Sequence, residues 1–301
     1  MAGWSGGDAQ MNLFVFGLGY SPLAFLTRHA SHFSKISGTV RQAEKAERLA
    51  RERKIETIVF DGGAASPELV RALAQADVIL VSVPPGERGD PALKLFARDV
   101  IAMPALKRIV YLSTIGVYGD HGGAWIDEST PARPSAGRSD ARLAAEEGWS
   151  AFVRDRHVPL DILRLAGIYG PGRNLLAALK AGTAKRIVKP GQVFNRIHVE
   201  DIADAIMACI AGAKAGAIYN VTDDEPAPPQ DIVTFAADLL GVAPPPEQDF
   251  ATAELTPMGR SFYAENKRVS NARIKRDLGF AFNHPTYREG LRALLASGEG
   301  R

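Results

Sequence analysis

The chain has 301 residues, 46% hydrophobic and 23% charged, an ordinary globular composition that excludes disorder as its main state. With 36 Lys+Arg against 34 Asp+Glu the net charge is only +2, and no basic run interleaved with aromatics is there to grip nucleic acid. The single cysteine, Cys209, excludes an internal disulfide and points to a reducing cytoplasm, and the longest apolar runs fall far short of the roughly 20 residues of a membrane span.

Residues 1–10 (MAGWSGGDAQ) lack periodicity and are expected to form a disordered tail, with Met11 as an alternative start. From Asn12 onward, apolar runs at 13–17, 37–41, 57–61, 77–83, 108–114 and 160–165 alternate with amphipathic segments. The runs are nearly continuous Val, Ile, Leu and Phe, which suits strands covered on both faces. Crossover helices are predicted at 42–53, at 67–75 with Ser66 as cap, and at 137–156. The fold class is therefore α/β, a doubly wound parallel (Rossmann) sheet forming a dinucleotide-binding domain over 11–165. After Leu165, Gly- and Pro-punctuated segments predict a smaller C-terminal substrate lobe over 166–301, with some segments returning to the first domain. Its helices are expected at 199–211, near an acidic cluster, and at 229–240, ending at Gly241.

The first strand runs into Gly17-Leu18-Gly19-Tyr20-Ser21-Pro22, with Leu23 to His29 reading as the next helix. Glycines here let the backbone bend and let a pyrophosphate approach a helix N-terminus, whose free N–H groups attract anions. Gly17, Gly19, Tyr20, Ser21 and Pro22 are thus candidate cofactor-binding residues, with Pro22 tolerable at the first helical position. About 20 residues on, an acid would read the ribose hydroxyls of NAD(H), whereas an Arg accommodates a 2′-phosphate. The second strand ends in Thr39-Val40-Arg41, with Lys45 a turn later and no acid before Glu44, so Arg41 favours NADP(H) over NAD(H). Asp61, Val83 and Pro84, at the ends of the third and fourth runs, complete the cofactor set.

Tyr111 to Gly119 (YLSTIGVYG), Leu143-Ala144-Ala145-Glu146-Glu147, Ile168-Tyr169-Gly170-Pro171-Gly172, Ile197-His198-Val199-Glu200-Asp201 and Tyr219-Asn220-Val221 occur in order along the chain. Together they resemble the extended short-chain dehydrogenase/reductase superfamily of nucleotide-sugar epimerases and dehydratases. The resemblance implies a Ser or Thr after the fifth strand and a Tyr-x-x-x-Lys on the following helix. Counting from the landmarks puts the hydroxyl on Thr114, the Tyr position on Arg138 and the Lys position on Arg142. No tyrosine lies between Tyr118 and Tyr169, so the dyad is absent and the chain resembles the atypical branch of the superfamily. A guanidinium stays protonated and is a poor acid or base, yet it can stabilise a developing oxyanion or clamp an anion. Thr114, Arg138 and Arg142 are the catalytic candidates, with Tyr118 as a further proton donor on the loop beyond the strand.

In the substrate lobe, Tyr169, Arg173, Asn174, Arg196 and His198 are the candidate binding residues. Nucleotide-sugar relatives commonly carry an Arg four residues before the His of Ile-His-Val, to hold a diphosphate; here that residue is Phe194, which argues against an intact UDP- or dTDP-sugar. The six histidines are scattered and show no metal-ligand spacing. The expected function is an NADP(H)-binding oxidoreductase or epimerase-like enzyme acting on a small carbonyl or sugar-like molecule, as a monomer or homodimer. The alternative is a non-catalytic dinucleotide-binding sensor or scaffold.

Overall fold

The computed structural model describes residues 11–86, 89–96, 103–135, 137–212 and 215–300, so the tail expected at 1–10 lies outside the described residues. In chain order the elements are β1 (Met11–Phe16), α1 (Tyr20–His29), β2 (Phe33–Val40), α2 (Ala43–Arg53), β3 (Glu56–Val59), α3 (Pro67–Ala74), β4 (Val78–Val81), α4 (Pro91–Phe96), β5 (Arg108–Thr114), β6 (Trp125–Ile126), α5 (Arg138–Arg154) and β7 (Leu160–Leu165). There follow β8 (Gly167–Tyr169), α6 (Leu175–Lys180), β9 (Arg186–Val188), β10 (Arg196–His198), α7 (Val199–Ala211), β11 (Ile218–Val221), α8 (Pro229–Leu240), β12 (Glu247–Asp249), α9 (Pro257–Phe262), β13 (Arg268–Val269), α10 (Ala272–Leu278) and α11 (Tyr287–Ala296).

Seven strands form one parallel sheet in the order β11-β7-β5-β4-β1-β2-β3, the doubly wound arrangement expected from the alternating runs. Every residue of β4 and β7 is buried, as the unbroken apolar runs required. Ser66 caps α3 by accepting from the Leu69 N–H at 3.2 Å, and Gly241 ends α8 in the left-handed conformation at φ 67°.

The chain divides into two compact units. Unit one holds residues up to Val117 with Ala136–Arg164 and Ala203–Tyr219; unit two holds Tyr118–Ser135, Leu165–Ile202 and Asn220–Arg301. The block 118–135, read from sequence as part of the first domain, belongs to unit two because β6 pairs with β13, with Arg268 opposite Trp125. A pairing so distant in sequence leaves no periodic signal.

The core of unit one gathers Phe14 and Phe16 from β1, Tyr111 from β5 and Trp149 from α5, all fully buried. Each large side chain contributes about 1.5–3 kcal/mol through burial. Trp149 also donates through Nε1 to Asp90 Oδ2 at 3.1 Å, while Asp90 Oδ1 caps α4 by accepting from Ala92 and Leu93 at 2.8 and 3.0 Å. Asp90→Ala removes the cap and leaves the indole N–H unpaired, so urea unfolding should register a loss of about 2 kcal/mol. A separate buried network joins β5, α5 and β7: Ser113 Oγ donates to Glu146, and Arg164 grips the same carboxylate with Nε and Nη2. It fixes the register of α5, which carries the candidate catalytic arginines.

Candidate functional site

In unit one the strand order reverses between β1 and β4, and a cleft of ≈ 1080 Å³ opens at the carboxyl ends of the strands. Of the residues chosen from sequence, Gly17, Gly19, Arg41, Asp61, Val83 and Pro84 line it. Tyr20, Ser21 and Pro22 do not. The helix begins at Tyr20 rather than Leu23, and Ser21 and Pro22 are buried in its first turn. Pro22 is accordingly the third helical residue, not the first, where its missing N–H still costs no intrahelical bond.

The turn is held from behind by groups the sequence did not advertise. Thr39 Oγ1, on the buried end of β2, accepts the Gly17 N–H at 2.9 Å, and Leu18 N–H donates to the Thr39 carbonyl at 2.8 Å. Gly17 has φ +87°, and a Cβ there would lie 2.9 Å from Val83 Cγ1. Gly19 differs: its φ is −91°, and a Cβ would find its nearest protein atom, the Gly17 carbonyl oxygen, only at 4.0 Å. No described atom lies closer than 4.0 Å to a Cβ at Gly19, and the room beside it fits the close approach of a pyrophosphate to the backbone.

Cations gather at the far edge of the cleft. Lys45, half-buried on α2, donates from Nζ to the Leu18 carbonyl at 2.8 Å and so ties the helix to the turn. Burial lowers the Lys45 pKa, and repulsion from Arg48 and Arg41 lowers it further. Arg41 itself is exposed. Asp61 accepts the Gly63 N–H at 2.9 Å, shaping the loop after β3.

At the end of β5, Thr114 Oγ1 accepts the Gly116 N–H at 3.1 Å. A Cβ on Gly116 would lie 2.9 Å from Ser139 Oγ and 3.4 Å from Thr114 Oγ1, so two hydroxyls flank a residue without a side chain. Ser139 was missed in the sequence, because one serine in a polar helix start carries no signal of its own. Arg142 reaches back to β5, donating from Nη1 to the Leu112 carbonyl at 2.9 Å and to Tyr111 Oη at 3.2 Å. Burial pushes the Tyr111 phenol well up, so it stays neutral. Arg138 is exposed as the first residue of α5.

In unit two, Tyr118 is corrected from proton donor to strut: it is fully buried and its hydroxyl donates to Asn220 Oδ1 at 2.8 Å. Asn174 is likewise committed to structure. Its Oδ1 caps α6 through the Ala177 N–H at 3.0 Å, and its Nδ2 donates to the Gly170 carbonyl and to Glu299, at 2.9 and 2.8 Å. Arg173 is exposed. His198 is buried; its Nδ1 accepts the Glu200 N–H at 3.3 Å, and its ring lies 4.0 Å from that of His284. Donor atoms of His198, Asp201 and His284 fall within 4.8 Å of one another, a grouping invisible in the sequence. Both Asp201 oxygens already accept N–H groups, from Asn283 at 2.6 Å and His284 at 3.1 Å, so the group staples residues 283–284 to α7. Arg196 Nη1 donates to the carbonyls of Phe194 and Ala227 at 3.0 and 3.4 Å. Burial raises the Tyr169 phenol and the Asp223 carboxyl well above their usual ranges.

The model of the NAD dependent epimerase/dehydratase family matches residues 96–222. Over 288 residues, spanning 90% of this chain and 95% of the relative, the sequence is 27% identical to protein YeeZ of Escherichia coli (strain K12). Over 303 residues, spanning 90% and 94%, it is 28% identical to a 3-diazoavenalumate denitrifying reductase of a Streptomyces species. Among solved structures, a functionally unknown conserved protein from Silicibacter pomeroyi DSS is similar with a TM-score of 0.84 and 44% identity, covering 96% of this chain and 99% of that one. Among the described residues, no helix is long and apolar enough to cross a membrane.

Proposed function

From membership of the NAD-dependent epimerase/dehydratase family, to which this chain belongs, we propose that it is an NADP(H)-dependent reductase of a small electrophilic substrate. The observation that carries the cofactor choice is the group of Arg41, Lys45 and Arg48 beside the turn, where no carboxylate ends β2. Three cations that repel one another are relieved by a 2′-phosphate, whereas a ribose hydroxyl offers them nothing. Gly17 to Gly19 and the first N–H groups of α1 would hold the pyrophosphate.

Bound there, a nicotinamide dinucleotide would supply hydride chemistry for an electrophilic centre of the substrate. Thr114 and Ser139 offer two hydroxyls to position a substrate oxygen, and Arg142 offers a fixed positive charge beside them. Without a titrating tyrosine at position 138, water delivers the proton that completes a carbonyl reduction to an alcohol. A reductase among the relatives that span 90% of this chain supports net reduction over epimerisation.

The test is calorimetric titration of NADPH and NADH against wild type and Arg41→Ala. NADPH should bind about 10- to 100-fold more tightly, and the variant should lose that preference. Equal affinities unchanged by the substitution would sink the cofactor reading. Turnover is tested by following NADPH oxidation with small aldehydes, ketones and carbonyl acids. The lost Tyr/Lys pair and the exposed Arg138 favour a second reading, a non-catalytic dinucleotide-binding protein, which prevails if NADPH binds and no substrate oxidises it.

A further inference from the structure

Strands β8 and β10 pair in parallel, with Arg196 opposite Gly167 and His198 opposite Tyr169. Paired residues share a face, and so do residues two apart, so Arg196 and Tyr169 project from the same side of this ladder. Gly167, directly across from Arg196, has no side chain to cover the guanidinium. Nη1 is taken by two carbonyls, and among the described residues Nε and Nη2 have no partner. The free edge is thus a two-donor fork.

Two of the buried polar atoms of unit two that lack a hydrogen-bond partner among the described residues lie near Arg196 electrostatically. Tyr169 Oη is buried and unpaired, held against the backbone of α11 at Gly290, where a Cβ would come within 1.9 Å of it. Asp223 is 1% exposed; its Oδ1 accepts the Glu225 N–H at 3.2 Å, and its Oδ2 is unpaired. Buried polar atoms in native proteins find a partner, in the protein or in a ligand or water. Tyr169, Asp223 and Arg196 lie within electrostatic reach of one another. The Arg196 guanidinium sits 5.7 Å from the Phe194 ring, and that ring packs edge-on against Tyr263 at 5.0 Å.

We propose that this Arg196 face of unit two receives the carboxylate of a small aromatic acid, with its ring against Phe194 and Tyr263. The proposal is of a ligand site within unit two and goes beyond the reductase reading. The Arg196 edge and the Tyr169 hydroxyl are donors and suit an acceptor-rich anion, with Asp223 as the neighbouring carboxylate. Burial draws the Arg196 pKa down to about 10, against the opposing pull of Asp223, and burial likewise raises the Asp223 carboxyl well above its usual range. A planar carboxylate matches the remaining Nε/Nη2 edge with two parallel hydrogen bonds. Phe194, standing where a diphosphate-binding Arg is expected, suits the aromatic ring instead.

The test uses the full chain loaded with NADPH and two probes, benzoate and its neutral counterpart benzamide, with binding followed by NMR titration. Benzoate should bind about tenfold or more tightly than benzamide, and Arg196→Gln should erase that difference while NADPH affinity stays as in wild type. Arg196→Lys should restore part of it, and Tyr169→Phe should weaken benzoate a few-fold, roughly the loss of one neutral hydrogen bond. Equal binding of the two probes, binding of neither, or a preference that survives Arg196→Gln overturns the proposal. Methyl phosphate displacing benzoate at equal concentration overturns the carboxylate assignment. Should Arg196→Gln fail to fold, the wild-type comparison and Arg196→Lys still decide. Loss of NADPH binding in wild type would instead defeat the cofactor reading, so the two failures are distinguishable.

Discussion

Gly19→Val is expected to fold like the wild-type chain and to lose NADPH affinity by about 100-fold or more, roughly 2.7 kcal/mol. The protein itself leaves room for the added Cβ: φ at Gly19 is −91°, ordinary for any residue, and the nearest protein atom to a Cβ is 4.0 Å away. What the valine would occupy is the approach to the first N–H groups of α1, where a pyrophosphate must come close to the backbone. Gly17→Ala is the contrasting control. At φ +87°, with Val83 Cγ1 at 2.9 Å and Val83 N at 3.2 Å from the added carbon, it should lower thermal stability as well as binding. Fluorescence titration of NADPH beside a melting curve separates the two. A Gly19→Val protein that binds NADPH normally would mean the turn holds no pyrophosphate.

The contrast between the two glycines shows how the sequence was informative. Spacing after an apolar run located the turn, since both glycines sit where a strand must bend into a helix, but spacing could not say which one the fold needs and which one a ligand needs. The central strands were legible for a similar reason. β5 and β7 are buried almost throughout, so their runs of Ile, Val and Leu need no decoding of faces. Thr39 was not legible as a site residue, because a threonine ending a strand is also an ordinary strand former, and only the 2.9 Å bond from Gly17 reveals its second duty. Ser139 and Thr114 meet across Gly116, and Asp201 meets His284, through contacts that join distant parts of the chain. Such juxtapositions have no periodicity to read. Tyr118 misled for the opposite reason: its position after the strand suggested an exposed phenol, whereas Asn220 supplies a buried acceptor that only the tertiary fold brings within 2.8 Å.

Replacing Arg142 by Ala is expected to lower kcat/KM for NADPH-dependent reduction by about 100- to 1000-fold, the cost of removing a preorganised charge from a reacting oxygen. Arg142 is anchored, not waving: Nη1 is fixed by the Leu112 carbonyl at 2.9 Å and by Tyr111 Oη at 3.2 Å, and the ring of Tyr111 lies 5.6 Å from its guanidinium carbon. Nη1 holds the group in place, and Nε and Nη2 have no hydrogen-bond partner among the described residues. Arg138, four residues earlier on the same side of α5, stands at the first helical position, where the helix dipole disfavours a cation by roughly 0.3–1 kcal/mol. An anion or a developing negative charge nearby would offset that cost. Arg138→Lys should therefore keep more activity than Arg138→Ala. Because a guanidinium is a poor general acid or base, the rate should show no break attributable to position 138 between about pH 6 and 9. The paired change Arg138→Tyr with Arg142→Lys should introduce such a break, since a phenol beside an ammonium becomes a titrating acid. A wild-type profile that already breaks in that window, and keeps breaking in Arg138→Lys, would assign proton delivery to another side chain and rule out water as the donor.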